Sequence, residues 1–321
     1  MSNICVVGGG YWGSNHLRTL DELGFLSGMV DTDSELRANT KKNYPEISIF
    51  SNIEEALESD RFNGFVVASP VITHYEVAKK ILQRGISVLI EKPFCTNLIE
   101  AEELADLAIM NNSCLMVGHL LLFHPSTAII KAHIDNGKLG NLKYVYSSRL
   151  NLGKIRSHED VFWSFAPHDI SLLQHFIGSD PIDISNQSHS FLENDIADMQ
   201  ITLISYPKGV KAHIYSSWLH PFKEHRLVLV GDKGLIDYHA SHNNYLTYQE
   251  IEVEEHRNLD PVINILNSEE IHFEPSQPLQ EELKYFVKKI NNNEKASIAG
   301  IDNALQTTRI METASSKNVK R

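Results

Sequence analysis

The sequence predicts an α/β fold: a doubly wound parallel sheet, then a second domain built on an antiparallel sheet. Three observations carry this. Short apolar runs alternate with helical stretches about six times through the first third of the chain, the mark of a parallel sheet wrapped by helices. The first run, Ile4-Cys5-Val6-Val7, passes directly into Gly8-Gly9-Gly10-Tyr11-Trp12-Gly13. From about Leu120 the runs become longer and rich in β-formers, which suits antiparallel pairing. With 321 residues the chain is about twice the usual domain size. The change of pattern sets the expected domains at 1–120 and 121–321.

Each element of the first domain has a local reason. Gly8, Gly10 and Gly13 stand in G-x-G-x-x-G spacing. The first permits the turn, the second lets backbone approach a pyrophosphate, and the third lets helix pack on strand. Free N–H groups at the helix start then face the phosphates. Asp31 follows the next apolar run, Leu26 to Val30, about 20 residues on, where a carboxylate accepts hydrogen bonds from the adenosine ribose. Strand, glycines, helix and spaced acid together predict a dinucleotide site; the glycines alone would also fit an unrelated turn. Ser34 to Tyr44 reads as a helix stopped by Pro45, and Ile47 to Phe50 as a short strand. Ser51-Asn52-Ile53-Glu54 reads as a capping box. Phe65 to Ala68 is a buried parallel strand ended by Ser69-Pro70. Thr73 to Arg84 is a helix with Gly85 at C′. Ser87 to Ile90 is a strand leading into Glu91-Lys92-Pro93. Asn97 and Glu100 cap a helix to Asn111, and Leu115 to Val117 is the last strand. Ligands of such sheets bind beyond the carboxyl ends of the strands. The glycine turn, Asp31, Ser69-Pro70, Glu91-Lys92-Pro93 and Gly118-His119 therefore converge on one edge.

In the second half, Ser126 to Asn136 reads as a helix followed by Gly137. Leu142–Leu150, Met199–Tyr206, Val210–Trp218 and Leu227–Val230 read as strands. Gly231-Asp232-Lys233-Gly234 joins the last of these to Leu235–Tyr238 as a hairpin. Val161 to Gly178 contains an apolar helical stretch interrupted by polar groups, and Trp163, His168, Asp169 and Ser171 fall around its start, near Pro167. Leu279, Leu283, Phe286, Val287 and Ile290 form one apolar helix face. Asn291 to Asn293 reads as a turn and Asp302 to Ala314 as a helix.

Composition excludes several classes. The formal charge of −12 and pI of about 5.7 argue against nucleic acid as a partner. No apolar run approaches the ~20 residues of a membrane span. Met1-Ser2-Asn3 leads straight into the first strand, so no secretory leader is expected. Three cysteines without C-x-x-C spacing suit a reducing cytoplasm. The 16 histidines show no H-E-x-x-H, and no metal site is expected.

Two side chains are candidates for chemistry. Lys92 sits between an acid and a proline, and the proline restricts it to extended conformations. A lysine in a cleft holds a hydroxyl or joins a proton relay; the plain alternative is a surface lysine paired with Glu91. His168 has the residue type of a general base near neutral pH, against the alternative of a histidine satisfied within a helix start. Arg149, Asn151, Lys154 and Arg156 cluster between the long strand and His168. They suit a diphosphate or carboxylate, or are ordinary solvated charges.

These motifs together resemble the Gfo/Idh/MocA oxidoreductase family. The matching pieces are the glycine turn, Asp31, Ser69-Pro70 with His74, and Glu91-Lys92-Pro93; then Gly118-His119, Phe123-His124-Pro125, Ala166-Pro167-His168-Asp169-Ile170-Ser171 and Gly231-Asp232-Lys233-Gly234. They cover nearly the whole chain in the family's order. The resemblance implies a Rossmann domain followed by an α/β domain with a large, mostly antiparallel sheet. It implies hydride exchange between NAD(P) and a sugar-like alcohol. It implies that Gly8, Gly10, Tyr11, Trp12, Gly13, Asp31, Ser69, Pro70, His74, Glu91, Lys92 and Trp163 serve the cofactor. Lys92 and His168 are then the catalytic pair, and they bind substrate together with Arg149, Asn151 and Arg156. The family often has an aspartate four residues before the histidine. Ser164 stands there here, so either another group orients His168 or Lys92 is the principal base. Asp31 favours NAD over NADP, because a 2′-phosphate would meet its charge. The stretches 149–156 and 163–169 look like members that oxidise the C3 hydroxyl of UDP-N-acetylglucosamine or its uronate, whose product commonly goes to an aminotransferase. The rivals are reduction of a keto sugar nucleotide, a free-sugar or inositol dehydrogenase, and an NAD-binding regulator without turnover. A homodimer or homotetramer joined through the second-domain sheet is expected.

Overall fold

The first strand, β1 (Ile4–Val7), is buried along its whole length, as a four-residue apolar run must be at the centre of a sheet. A computed structural model describes residues 2–153, 155–156, 159–192, 196–240, 244–254 and 260–316. It divides into one unit of Met1–Phe123 with Gln277–Arg309, and another of His124–Ser276 with Ile310–Arg321.

In the first unit β1 is followed by α1 (Tyr11–Glu22), β2 (Leu26–Val30), α2 (Ser34–Asn43), β3 (Ser48–Phe50), α3 (Ile53–Glu58) and β4 (Gly64–Val67). Then come α4 (His74–Gln83), β5 (Ser87–Ile90), α5 (Leu98–Met110) and β6 (Leu115–Val117). All six strands are parallel, in the order β3-β2-β1-β4-β5-β6. This is the doubly wound order, and it reverses between β1 and β4, where such sheets open a crevice for ligand. The parallel-sheet expectation is met.

The second unit begins with α6 (Pro125–Asp135), β7 (Leu142–Leu152) and α7 (Val161–Ile177). It continues through β8 (Asp183–His189), β9 (Met199–Ser205), β10 (Lys211–Ser217), β11 (Leu219–Gly231), β12 (Gly234–His239), β13 (Tyr245–Glu254) and β14 (Val262–His272). The eight strands order as β14-β13-β12-β11-β7-β10-β9-β8. Among the described residues of this sheet only the β7–β10 pair is parallel. The hairpin at Gly231–Gly234 forms with Val230 opposite Leu235. The chain ends with α8 (Pro278–Asn292) and α9 (Ile301–Ser316).

Four expectations need correction. The boundary at 120/121 marks only the first crossing, because residues 277–309 belong with the first unit. The apolar face of α8 is covered there: a Cβ on Gly64 would stand 2.6 Å from Ile290 and 3.3 Å from Phe286. The Val117 N–H also bonds the Ala299 carbonyl at 2.9 Å. The cap of α3 is Asn52 rather than Ser51, its side chain accepting the Glu55 N–H at 2.9 Å. The Glu55 carboxylate returns to the Ser51 N–H, so the box is shifted by one residue. Helix α8 continues through Asn292, and Asn293 caps it at φ +54°. Finally, α7 begins six residues before Pro167, at an Asp160 cap that accepts the Trp163 N–H. Proline is at home in a first turn, which is why the sequence points to a start there. The buried face of Val161, Phe162, Ala166 and Ile170 instead carries the helix through it.

Candidate active site

In the first unit the glycine turn has the form a dinucleotide needs. Gly8 is at φ +97°, and a Cβ there would stand 2.7 Å from the Ser69 nitrogen. A Cβ on Gly13 would stand 1.8 Å from the Gly8 carbonyl oxygen, so helix meets strand closely enough to forbid any side chain. A Cβ on Gly10 meets nothing within 4 Å among the described residues. Gly10 is also the N-cap of α1, which has no side-chain cap and no acid in its first turn. An uncapped helix start beside an open glycine fits a pyrophosphate.

Asp31 follows β2 beside this turn. Its Oδ2 accepts the Gly9 N–H at 2.6 Å and its Oδ1 the Asp33 N–H at 2.8 Å. A carboxylate has about four acceptor positions, so capacity for ribose hydroxyls remains. Nearby Arg37 donates to the Asp31 and Thr32 carbonyls at 2.8 and 2.9 Å. Both bonds come from one terminal nitrogen of the guanidinium, Nη1. Tyr11 is 81% exposed and Trp12 meets it edge to face at 6.0 Å.

Ser69 and exposed Pro70 follow β4, with Ser69 Oγ 2.6 Å from Thr73 Oγ1. His74 is buried, and its two ring nitrogens lie 2.9 and 3.0 Å from the Ser69 and Pro93 carbonyls. Both nitrogens are engaged by backbone, and His74 ties the loop after β4 to the loop after β5. Burial lowers its pKa against the pull of those carbonyls.

Glu91 and Lys92 end β5. Glu91 is buried, with Oε1 2.7 Å from His16 Nε2 and Oε2 accepting the Lys92 backbone N–H at 3.1 Å. Burial works against its charge, but the His16 hydrogen bond and the charges of His16 and Lys92 hold it below the usual carboxylate range. Lys92 itself is half-buried, and its peptide bond to Pro93 is cis. The three cysteines are buried, and burial raises the pKa of each thiol.

In the second unit α7 lies against β7, β9 and β10. His168 is half-buried in the interior of the helix, and Trp163 donates its indole N–H to Ser315 Oγ at 2.9 Å. The neighbouring Asp169 is buried and receives three hydrogen bonds from β7: Arg149 Nε at 2.9 Å, an Arg149 terminal nitrogen at 2.8 Å and Ser147 Oγ at 2.8 Å. The Nε edge of Arg149 is thus bidentate to Asp169. Asn151 follows on the same strand face, half-buried, and Arg156 is exposed and paired with Glu159. Lys154 lies outside the described residues. The sequence offers His220 and His225, five apart, too loosely spaced for a metal pair; in the structure His225 pairs in register with Arg149. Burial, then Arg149 and Lys223, push it down to about 4, so it is neutral at physiological pH.

Comparison with known proteins agrees with this arrangement. The family model described as "Oxidoreductase family, NAD-binding Rossmann fold" matches residues 2–119, and the GFO/IDH/MocA C-terminal domain matches residues 127–237. The chain belongs to the Gfo/Idh/MocA oxidoreductase family. Its first unit is thus the family's NAD-binding Rossmann domain. Within the family it is similar to the UDP-N-acetylglucosamine 3-dehydrogenase of Acidithiobacillus ferrooxidans, 26% identical over 213 residues, which cover 66% of each chain. It is also similar to the scyllo-inositol 2-dehydrogenase (NAD(+)) of Bacillus subtilis, 23% identical over 57% of this chain and 56% of that one. The chain thus spans 66% and 56% of the length of these two curated relatives. A solved structure of the Acidithiobacillus ferrooxidans protein shares the fold at TM-score 0.86 and 21% identity, covering 99% of this chain and 97% of that one.

Among the described residues no helix is long and apolar enough to cross a membrane, and no group of three His, Cys, Asp or Glu is placed to hold a metal ion.

Proposed function

We propose that this protein is an NAD-dependent dehydrogenase that oxidises the C3 hydroxyl of a UDP-linked N-acetylhexosamine, UDP-N-acetylglucosamine or its uronate. The observation that carries the substrate class is the relative named UDP-N-acetylglucosamine 3-dehydrogenase, matched over 66% of this chain. Bound NAD supplies the hydride acceptor. The chain's own residues bind, orient and move a proton. Gly8, Gly10, Gly13 and the start of α1 hold the pyrophosphate, with Tyr11 and Trp12 alongside. Asp31 holds the adenosine ribose, and Ser69, Pro70 and Trp163 line the cofactor. Lys92, its backbone pinned by Glu91, presents an ammonium to the hydroxyl. His168 takes the hydroxyl proton as a general base. Asp169, tied to Arg149 and Ser147, fixes the turn of α7 that carries His168 and so orients it in place of the aspartate missing at Ser164. Asn151 and Arg156 serve the nucleotide end of the substrate.

A second reading, oxidation of a free cyclitol, is favoured by the inositol dehydrogenase among the relatives. The test is a panel of UDP-sugars and inositols with NAD, followed by absorbance of reduced nicotinamide. An aminotransferase with its amino donor should be present to consume the keto product. Turnover with a UDP-N-acetylhexosamine, inhibited competitively by UDP, supports the first reading. Turnover with inositol that UDP leaves untouched replaces it with the second.

We further infer a homodimer or homotetramer in the cytoplasm. Three buried free thiols suit a reducing compartment. The sheet of the second unit presents a shallow cavity of about 320 Å³ lined by Tyr144, Tyr146, Ile201, His213, Tyr215 and Val228. Leu203 on β9 and Phe222 on β11, two strands of the same sheet, are 53% and 54% exposed. An apolar, aromatic face of this kind suits a subunit contact.

A further inference from the structure

Four titratable side chains lie buried behind the Lys92 turn. His16 comes from α1, Glu91 from the end of β5, His119 from just after β6 and Glu282 from α8; their exposures are 0%, 5%, 1% and 0%. Glu91 has partners on both oxygens, His16 and the Lys92 N–H. Gly118 leaves it room, since a Cβ there would stand 3.1 Å from Glu91 Oε2. Glu282 is within electrostatic reach of the Glu91 carboxylate, and His119 is within reach of Glu91 and Lys92. Among the described residues neither carboxyl oxygen of Glu282 and neither ring nitrogen of His119 has a hydrogen-bond partner. A charged Glu282 would therefore lose its hydration, gain no donor and face a second carboxylate. Where two carboxyl groups share a low-dielectric region, the one with donors keeps the charge and the other keeps a proton.

We propose that Glu282 is a carboxylic acid in the working protein, and that together with neutral His119 it limits the negative charge behind Lys92 to the single carboxylate of Glu91. Glu282 is thus a positioning residue that acts on Lys92 through Glu91. Its functional half rests on the reading that Lys92 works at the substrate hydroxyl; its protonation does not. A second carboxylate would bind the Lys92 proton more tightly and take the amine further from the range in which it exchanges protons with an alcohol. Burial, then Glu91, push the Glu282 carboxyl well up, and burial pushes His119 down to about 3. Helix α8 packs on α1, on the turn at Leu120–Phe123 and, through Phe286 and Ile290, on β4, which carries no titratable side chain. Of the titratable groups there, His16 belongs to the cluster, while Tyr11, Arg18, Asp21 and Glu22 are exposed. His74 is also within reach of Glu91.

The sign of the linkage is definite. An acid whose pKa is raised by folding adds stability below the ordinary carboxyl range, and loses it as pH rises toward the raised value. Wild type should therefore weaken relative to Glu282→Gln with rising pH. Glu91 has the opposite sign but is common to both proteins. Denaturant unfolding of the full chain from about pH 5 to about 8 reads this directly. The ratio of folding constants, variant over wild type, should grow about tenfold per pH unit. Infrared spectra should show a protonated-carboxyl stretch in wild type at neutral pH that Glu282→Gln lacks. In pH–rate profiles Glu91→Gln should move the Lys92 limb down by about one unit or more, while Glu282→Gln leaves it within about 0.3 unit. A flat folding ratio, a missing infrared band, or a limb that falls in Glu282→Gln overturns the proposal. Should Glu282→Gln fail to fold, the wild-type band decides: titration in the ordinary carboxyl range overturns the proposal, and persistence through neutral pH supports it. The folding and infrared arms need no substrate, so they decide the protonation of Glu282 even if the proposed dehydrogenase reaction fails.

Discussion

Gly13 shows how one missing Cβ sets a function. With 1.8 Å between that imagined carbon and the Gly8 oxygen, Gly13→Ala must push α1 off β1. NAD affinity, read by fluorescence titration, should fall at least tenfold, about 1.4 kcal/mol. Asp31 sets a preference rather than a shape. A 2′-phosphate beside its carboxylate is repelled by about 1–4 kcal/mol, depending on the effective dielectric. Asp31→Ser should therefore narrow the NAD to NADP affinity ratio by about tenfold or more; an unchanged ratio removes Asp31 from that role. His168→Asn keeps shape but has no basic nitrogen. Its kcat should fall by about 10²- to 10⁴-fold, with NAD binding kept within about twofold. Near-normal turnover would take His168 out of the mechanism.

At the scale of elements, the pairing of α7 with β7 rests on one buried charge pair. The Arg149 side chain is 12% exposed and that of Asp169 2%. Arg149→Met leaves Asp169 charged and buried without its main partner, a loss of about 3–5 kcal/mol. Replacing both, Arg149→Met with Asp169→Leu, should recover most of that in urea unfolding, because paired burial itself stabilises little. If the single variant instead keeps full stability and only raises KM for the nucleotide, Arg149 is the anion holder that the sequence suggested. This clamp was not legible beforehand, because a strand arginine and a helix aspartate 20 residues apart leave no periodic trace. The same holds for His16 and Glu91, 75 residues apart. What was legible obeyed local rules: the glycine turn, the Asn97 cap accepting the Glu100 N–H at 2.9 Å, and Gly85 at φ +69°. Strands β8, β13 and β14 went unread, and for β14 the reason is physical. β14 is exposed along nearly its whole length and never alternates, so no hydrophobic period marks it. Pro167 misled because its local preference for a first turn was overridden by the apolar face of α7.

At the scale of the whole molecule, the sequence read the order of two domains but not the return of residues 277–309 to the first. An apolar stripe says that a helix face must be covered; it does not say by what. The family's Rossmann domain and C-terminal domain account for residues 2–119 and 127–237. The subunit contact proposed for the open sheet face predicts a dimer or tetramer in light scattering. Phe222→Glu with Leu203→Glu should shift it toward monomer at unchanged helix content; a monomeric wild type would discard the contact. The most direct test of the central claim is to incubate the protein with NAD and UDP-N-acetylglucosamine deuterated at C3, then analyse the reduced cofactor by mass spectrometry. The account predicts reduced cofactor one deuterium heavier. Unlabelled reduced cofactor would place the oxidised carbon elsewhere, and no reduction of tightly bound NAD by any sugar nucleotide would contradict the dehydrogenase reading itself.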